Sequence, residues 1–180
     1  NIKFIFFNNN FFLLTFYSIC AQSQESVFPQ FDFSLIRPFS PGKKISALPK
    51  NLGPGVEIEL KNAQSVRLYK VAGVDTYKFP VLVQFKDDEI LDMFVRPPSY
   101  LLHDFFHQDL INKYGKQNEY THENGSGYYY WATKNKDIYY QGSCTITCFP
   151  IFYSEVAKQS ALPPTYKSLG KLMEESLIDY

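Results

Sequence analysis

Two adjacent-proline pairs, Pro97-Pro98 and Pro163-Pro164, constrain this chain more than any other feature. Each proline fixes its own φ and lacks a backbone N–H, so a pair of them ends any strand or helix that reaches it. The pairs divide the sequence into strand-like segments, a helix, further strand-like segments and a last helix.

Ahead of Pro97, residues 56–60 alternate apolar and acidic side chains, and residues 66–71 follow a similar pattern. Residues 79–85 and 90–95 flank a charged tip, Lys86-Asp87-Asp88-Glu89. A period of two with one polar side predicts strands with one wet face, and the short tip predicts a hairpin. After Pro98, Ser99 is placed to cap a helix over residues 100–114, closed by Gly115. Leu102, Phe105, Phe106, Leu110 and Tyr114 give it one apolar face. Residues 119–127 read as a polar loop. Residues 128–133, 138–141 and 144–153 read as a second strand set, with a turn over 134–137. Beyond Pro164, Thr165 is placed to cap a helix carrying Leu169, Leu172, Met173 and Leu177 on one side. The segment 24–50, broken by Pro29, Pro38, Pro41 and Pro49, reads as extended chain with one short helical turn.

The class is α+β: an antiparallel sheet of meander strands, packed with a central helix and a C-terminal amphipathic helix. A helix, a Gly-containing turn and a meander occur twice, over 40–96 and 99–156. This suggests two related halves within a single domain spanning 24–180.

The turn Leu110 to Lys116, ending Tyr114-Gly115-Lys116, and the aromatic strand Tyr128 to Trp131 carry a partial resemblance. They resemble small envelope proteins of the outer-membrane-assembly lipoprotein and β-lactamase-inhibitor-protein type. There, a helix ending in such a turn packs on an antiparallel sheet that contains a Trp strand. The resemblance implies that fold and a habit of binding other proteins, with no catalytic residues to transfer.

The first residues differ from the rest. Lys3 is the only charge before Glu25, and apolar stretches surround Asn8-Asn9-Asn10. A basic start, an apolar middle and Ala21-Gln22-Ser23 predict a signal peptide over 1–23. The three Asn break the run of about 20 apolar residues that a membrane span needs. Ile19 disfavours lipid attachment at Cys20, since a small residue is wanted there. The expected destination is the periplasm or cell envelope of a Gram-negative bacterium.

Lys+Arg and Asp+Glu number 18 each, so the formal net charge is zero. The basic excess that neutralises phosphates is missing, which argues against a nucleic-acid partner.

Cys144 and Cys148 allow three readings. In a regular strand, residues four apart are separated by about 13 Å, whereas a disulfide needs Cα atoms within about 7 Å. The β-branched run Thr145-Ile146-Thr147 favours the strand and two buried thiols. Export and the lack of another partner favour the bond, and a Cys144–Cys148 disulfide is the expected state. The third reading adds His103 and His107, which share a helix face, to make a Cys2His2 metal site or a thiol-based centre.

Tyr128-Tyr129-Tyr130-Trp131, with Tyr139-Tyr140 across a turn, is the remaining candidate. One side of such a strand fills a core while the other can form an aromatic platform. Tyr129, Trp131 and Tyr139 are the expected binding residues. The favoured function is a non-enzymatic binding or scaffold module, without cofactor, that contacts another envelope protein. The rival is a metal-dependent or thiol-based enzyme using His103, His107, Cys144 and Cys148.

Overall fold

A computed structural model describes residues 30–73, 77–144, 147–158 and 162–176. The expected signal peptide, Cys20 and Leu177 lie outside the described residues. Among the described residues, eight strands form a single antiparallel sheet: β1 (Val56–Ile58), β2 (Ser65–Ala72), β3 (Lys78–Lys86), β4 (Glu89–Val95), β5 (Glu119–Glu123), β6 (Ser126–Ala132), β7 (Lys136–Cys144) and β8 (Cys148–Ala157). Their spatial order is β1-β2-β3-β4-β8-β7-β6-β5, so two four-stranded meanders join along β4 and β8. The helix α1 (His103–Tyr114) connects the meanders, and α2 (Leu169–Ser176) follows the last strand. The α+β class and meander sheet are thus those read from the sequence.

The tight hairpins follow from residues that tolerate positive φ. Asp87 and Asp88 stand at φ 48° and 70° between β3 and β4, and Asn124 and Gly125 at 49° and 76° between β5 and β6. Two consecutive positive φ values define the turn whose twist matches that of paired strands. The Asp88 carboxylate is held in place by the Ser46 backbone N–H, at 2.8 Å, and by the Ser46 hydroxyl, at 2.6 Å.

The inner face of the sheet carries the main core. α1, Leu101 and the 3₁₀ turns between Phe33 and Leu52 cover it, burying Phe39, Phe79, Val81, Met93, Phe106, Leu110, Trp131 and Tyr153. Phe31 bridges these layers, with ring centroids 5.6 Å from Phe79 and 5.2 Å from Phe106. The same face encloses an ion pair: buried Glu155 meets Lys136 and accepts hydrogen bonds from Tyr153, at 2.6 Å, and Tyr114, at 3.2 Å.

On the outer face, α2 lies over β3 and β4. Leu169 and Leu172 are buried there, and Leu169 packs with Val66, Leu82 and Phe94. Burying each leucine stabilises the docking by about 2 kcal/mol. The helix entry is anchored by Asp92, which is fully buried in β4. Its Oδ2 accepts the Leu169 N–H at 2.8 Å and the Tyr166 hydroxyl, and Gln84 ties the Lys167 carbonyl at 2.9 Å. Oδ1 of Asp92 has no partner among the described residues. Burial outweighs these hydrogen bonds and raises the Asp92 carboxyl to about 7.

Both helix starts differ from expectation. α1 begins at His103 behind Leu102, with no side-chain cap, because Ser99 is taken up in the turn that Leu101 N–H closes onto Pro98 O at 3.1 Å. α2 is capped by Ser168, whose Oγ accepts the Lys171 N–H, rather than by Thr165. The expected loop over 119–127 is instead the β5–β6 hairpin. Every residue of β5 is exposed, so no apolar alternation marks it as a strand.

Candidate functional site

The β6–β7 pairing decides which aromatic side chains face outward. Trp131 stands opposite Ile138 and Tyr129 opposite Tyr140, while Tyr130 stands opposite Tyr139 and Tyr128 opposite Gln141. Side chains alternate along a strand, so Tyr129, Trp131, Ile138 and Tyr140 share the inner face. Tyr128, Tyr130, Tyr139 and Gln141 share the outer one. The three expected binding residues are therefore divided. Trp131 is 1% exposed and donates its indole N–H to the Gly115 carbonyl at 2.8 Å, which pins the end of α1 to the sheet. Tyr129 is half-buried, its ring 4.2 Å from that of His107. Only Tyr139, 41% exposed, stands on the open side.

What the outer face offers is a set of three tyrosines. The Tyr130 and Tyr139 ring centroids are 5.2 Å apart. The Tyr130 hydroxyl donates to Asp137 Oδ1 at 2.9 Å, and Gln141 Nε2 donates to the Tyr128 oxygen at 3.1 Å. These bonds fix ring positions, so little freedom is lost when a ligand settles on them. Burial, then the Asp137 carboxylate, pushes the Tyr130 phenol up to about 12. It is a neutral donor at physiological pH. Lys158 pairs with the same Asp137 oxygen.

A shallow groove of about 430 Å³ runs over these rings and is lined also by Glu119, Tyr120, Thr121 and Tyr129. A second groove of about 550 Å³ continues from Tyr139 to α2, along Leu162, Pro163 and Pro164. Alternation separates Tyr128 and Tyr130 from Tyr129 and Trp131 but does not say which pair faces outward; burial of Trp131 makes Tyr128 and Tyr130 the outer pair. The length of the turn closed by Thr133 N–H on Lys136 O sets the register, and that length is not legible from composition.

The rival constellation is not assembled. Cys144 and Cys148 are joined as a disulfide with Cα atoms 4.1 Å apart. β7 ends at Cys144 and β8 begins at Cys148, so the two face each other across a hairpin. The continuous strand implied by the β-branched run is interrupted there, and Thr145 and Ile146 themselves lie outside the described residues. Both sulfurs are bonded to each other, which leaves no thiolate for a metal or for nucleophilic attack.

His103 is buried, with Nδ1 2.7 Å from the Tyr140 hydroxyl and Nε2 3.3 Å from that of Tyr129. His107 stacks on it with centroids 5.4 Å apart. Burial holds both imidazoles below the usual histidine range, so they are neutral packing groups near pH 7. No group of three or more His, Cys, Asp or Glu among the described residues is arranged to hold a metal.

No helix among the described residues is long and apolar enough to cross a membrane. No family model, no curated protein and no solved structure matches the chain.

Proposed function

We propose that this chain is a non-catalytic binding module of an exported envelope protein. It recognises another polypeptide through the outer tyrosine face formed by Tyr128, Tyr130 and Tyr139. The observation that carries this reading is the Tyr130–Tyr139 ring pair, with Tyr130 held by Asp137 and Tyr139 exposed, beside an open groove. α2 lies over β3 and β4, and the groove from Tyr139 runs to its Lys171 and Glu175, leaving the tyrosines themselves outside the helix's cover. Rigid tyrosines supply large contact area at low entropic cost and dominate many protein interfaces. The Cys144–Cys148 disulfide supports placement in an oxidising compartment, the periplasm of a Gram-negative cell, since such bonds persist there and are rare in cytosol. Binding other proteins is also what the resemblance to small envelope proteins implies.

Photo-cross-linking in intact host cells tests the reading. A photoreactive phenylalanine replaces Tyr139 in one variant and exposed Glu57 on β1 in another. A discrete protein adduct from position 139 that position 57 does not give supports it. Equal yields from both positions, or none from position 139, overturn it.

A further inference from the structure

We infer that the partner docks on β5 as an additional antiparallel or parallel strand, and that it carries two cationic side chains four residues apart. This rests on the polypeptide-binding reading above and names the class of segment bound.

β5 lies at one edge of the sheet, with β6 on one side and no described strand on the other. An edge strand turns every second pair of backbone N–H and C=O groups outward, a template for an incoming extended chain. The two edges of this sheet are not equivalent. β1 is three residues long, too short to template much pairing, whereas β5 presents five residues, all exposed. β5 also carries no proline, and the β5–β6 turn is a tight two-residue one that leaves the edge uncovered.

Charge selects the occupant. Register places Glu119 opposite Tyr130, Thr121 opposite Tyr128 and Glu123 opposite Ser126, so both carboxylates stand on the outer face beside the tyrosines. Among the described residues neither takes part in an ion pair. A second copy of this chain is disfavoured as occupant. Antiparallel self-pairing about Thr121 sets Glu119 against the other copy's Glu123, and parallel self-pairing sets like against like. A strand with Lys or Arg at positions i and i+4 meets both carboxylates in either direction, with a small side chain over Thr121. Its intervening side chains fall on the inner face beside Tyr120, whose ring is 4.9 Å from that of Tyr129, and His122. Exposed pairs of this kind set selectivity and salt dependence more than affinity.

The test uses the full chain and two fluorescent heptapeptides, Thr-Lys-Val-Thr-Val-Lys-Thr and the same peptide with Glu in place of Lys. The lysine peptide is expected to bind at least tenfold more tightly at low salt. That preference should shrink at 0.5 M salt and reverse in the Glu119→Lys/Glu123→Lys variant. His122→Pro, which removes an edge amide, should weaken both peptides. Amide exchange on the unmodified chain gives a readout that needs no variant: the lysine peptide should slow exchange within 119–123. Equal binding of the two peptides, no binding, or no protection within 119–123 overturns the inference, as does a β5-dependent dimer in sedimentation. If Tyr130→Ala abolishes cross-linking of the cellular partner from the probe at position 139 while the β5 variants leave it unchanged, strand addition fails and the tyrosine face stands. If neither set matters, both fail.

Discussion

Tyr130 and Tyr139 meet across β6 and β7 with ring centroids 5.2 Å apart, on the sheet face opposite to buried Trp131. Two neighbouring residues of one strand, 130 and 131, therefore have opposite duties. Replacing both outer tyrosines by alanine should cost less than about 2 kcal/mol, since cross-strand pairs contribute about 0.2–1 kcal/mol each. Trp131→Ala should cost about 3–5 kcal/mol from lost burial and the orphaned Gly115 carbonyl. Urea titrations of the two variants check the contrast.

The disulfide should stabilise by closing a short loop. For a separation of four residues, the chain-entropy relation predicts about 2 kcal/mol. The Cys144→Ser/Cys148→Ser double variant should unfold at correspondingly lower urea. Alkylation of the unfolded, unreduced chain followed by peptide mass analysis should leave both cysteines unlabelled.

Gly142 in β7 lies against the buried histidine: a Cβ there would sit 2.2 Å from His103 Nδ1. Gly142→Ala should destabilise by more than about 2 kcal/mol, because His103 is packed under Tyr140 and cannot retreat. In a double-mutant cycle with His103→Ala the two losses should be clearly less than additive. Additivity within 0.5 kcal/mol would place the strain elsewhere.

Asp92 predicts a pH dependence. Its carboxyl is raised from 3.8 to about 7 in the folded chain, so the folded state binds this proton more tightly than the unfolded one. Its stabilising contribution is complete below pH 3.8 and is lost as pH rises to about 7. His103 and His107, lowered by burial, act in the opposite sense and cost stability as pH falls through their ordinary value of 6.5. The difference between the parent chain and Asp92→Asn isolates the carboxyl. The parent's relative stability should fall by about 2–4 kcal/mol between pH 4 and 7 and then level off. A flat difference would contradict the buried-carboxyl account.

The sequence made the meander strands and the two helices legible because alternation, proline pairs and helical spacing are local signals. β3 and β4 were clear from the apolar runs around Asp87-Asp88. β5 was hidden because an edge strand exposed on both faces has no apolar period. Thr165 and Ser168 are both cap-forming residues ahead of the helix, and the choice of Ser168 rests on the fold, where Asp92 takes the Leu169 N–H and Ser168 takes that of Lys171. The site was half legible. An aromatic face was foreseeable from Tyr128 to Trp131, but its side depends on register, a property of two strands and a turn together. The cysteine pair turned on the same kind of fact, a reversal of the backbone between residues four apart.

The central claim is tested most directly by affinity. With the cross-linked partner purified, binding is measured by calorimetry for the parent chain and for Tyr130→Ala/Tyr139→Ala, with melting curves recorded on the same samples. Two interface tyrosines at about 1 kcal/mol or more each predict a loss of about thirtyfold or greater, with the variant still folded. Unchanged affinity in a folded variant would contradict the tyrosine face as the binding site.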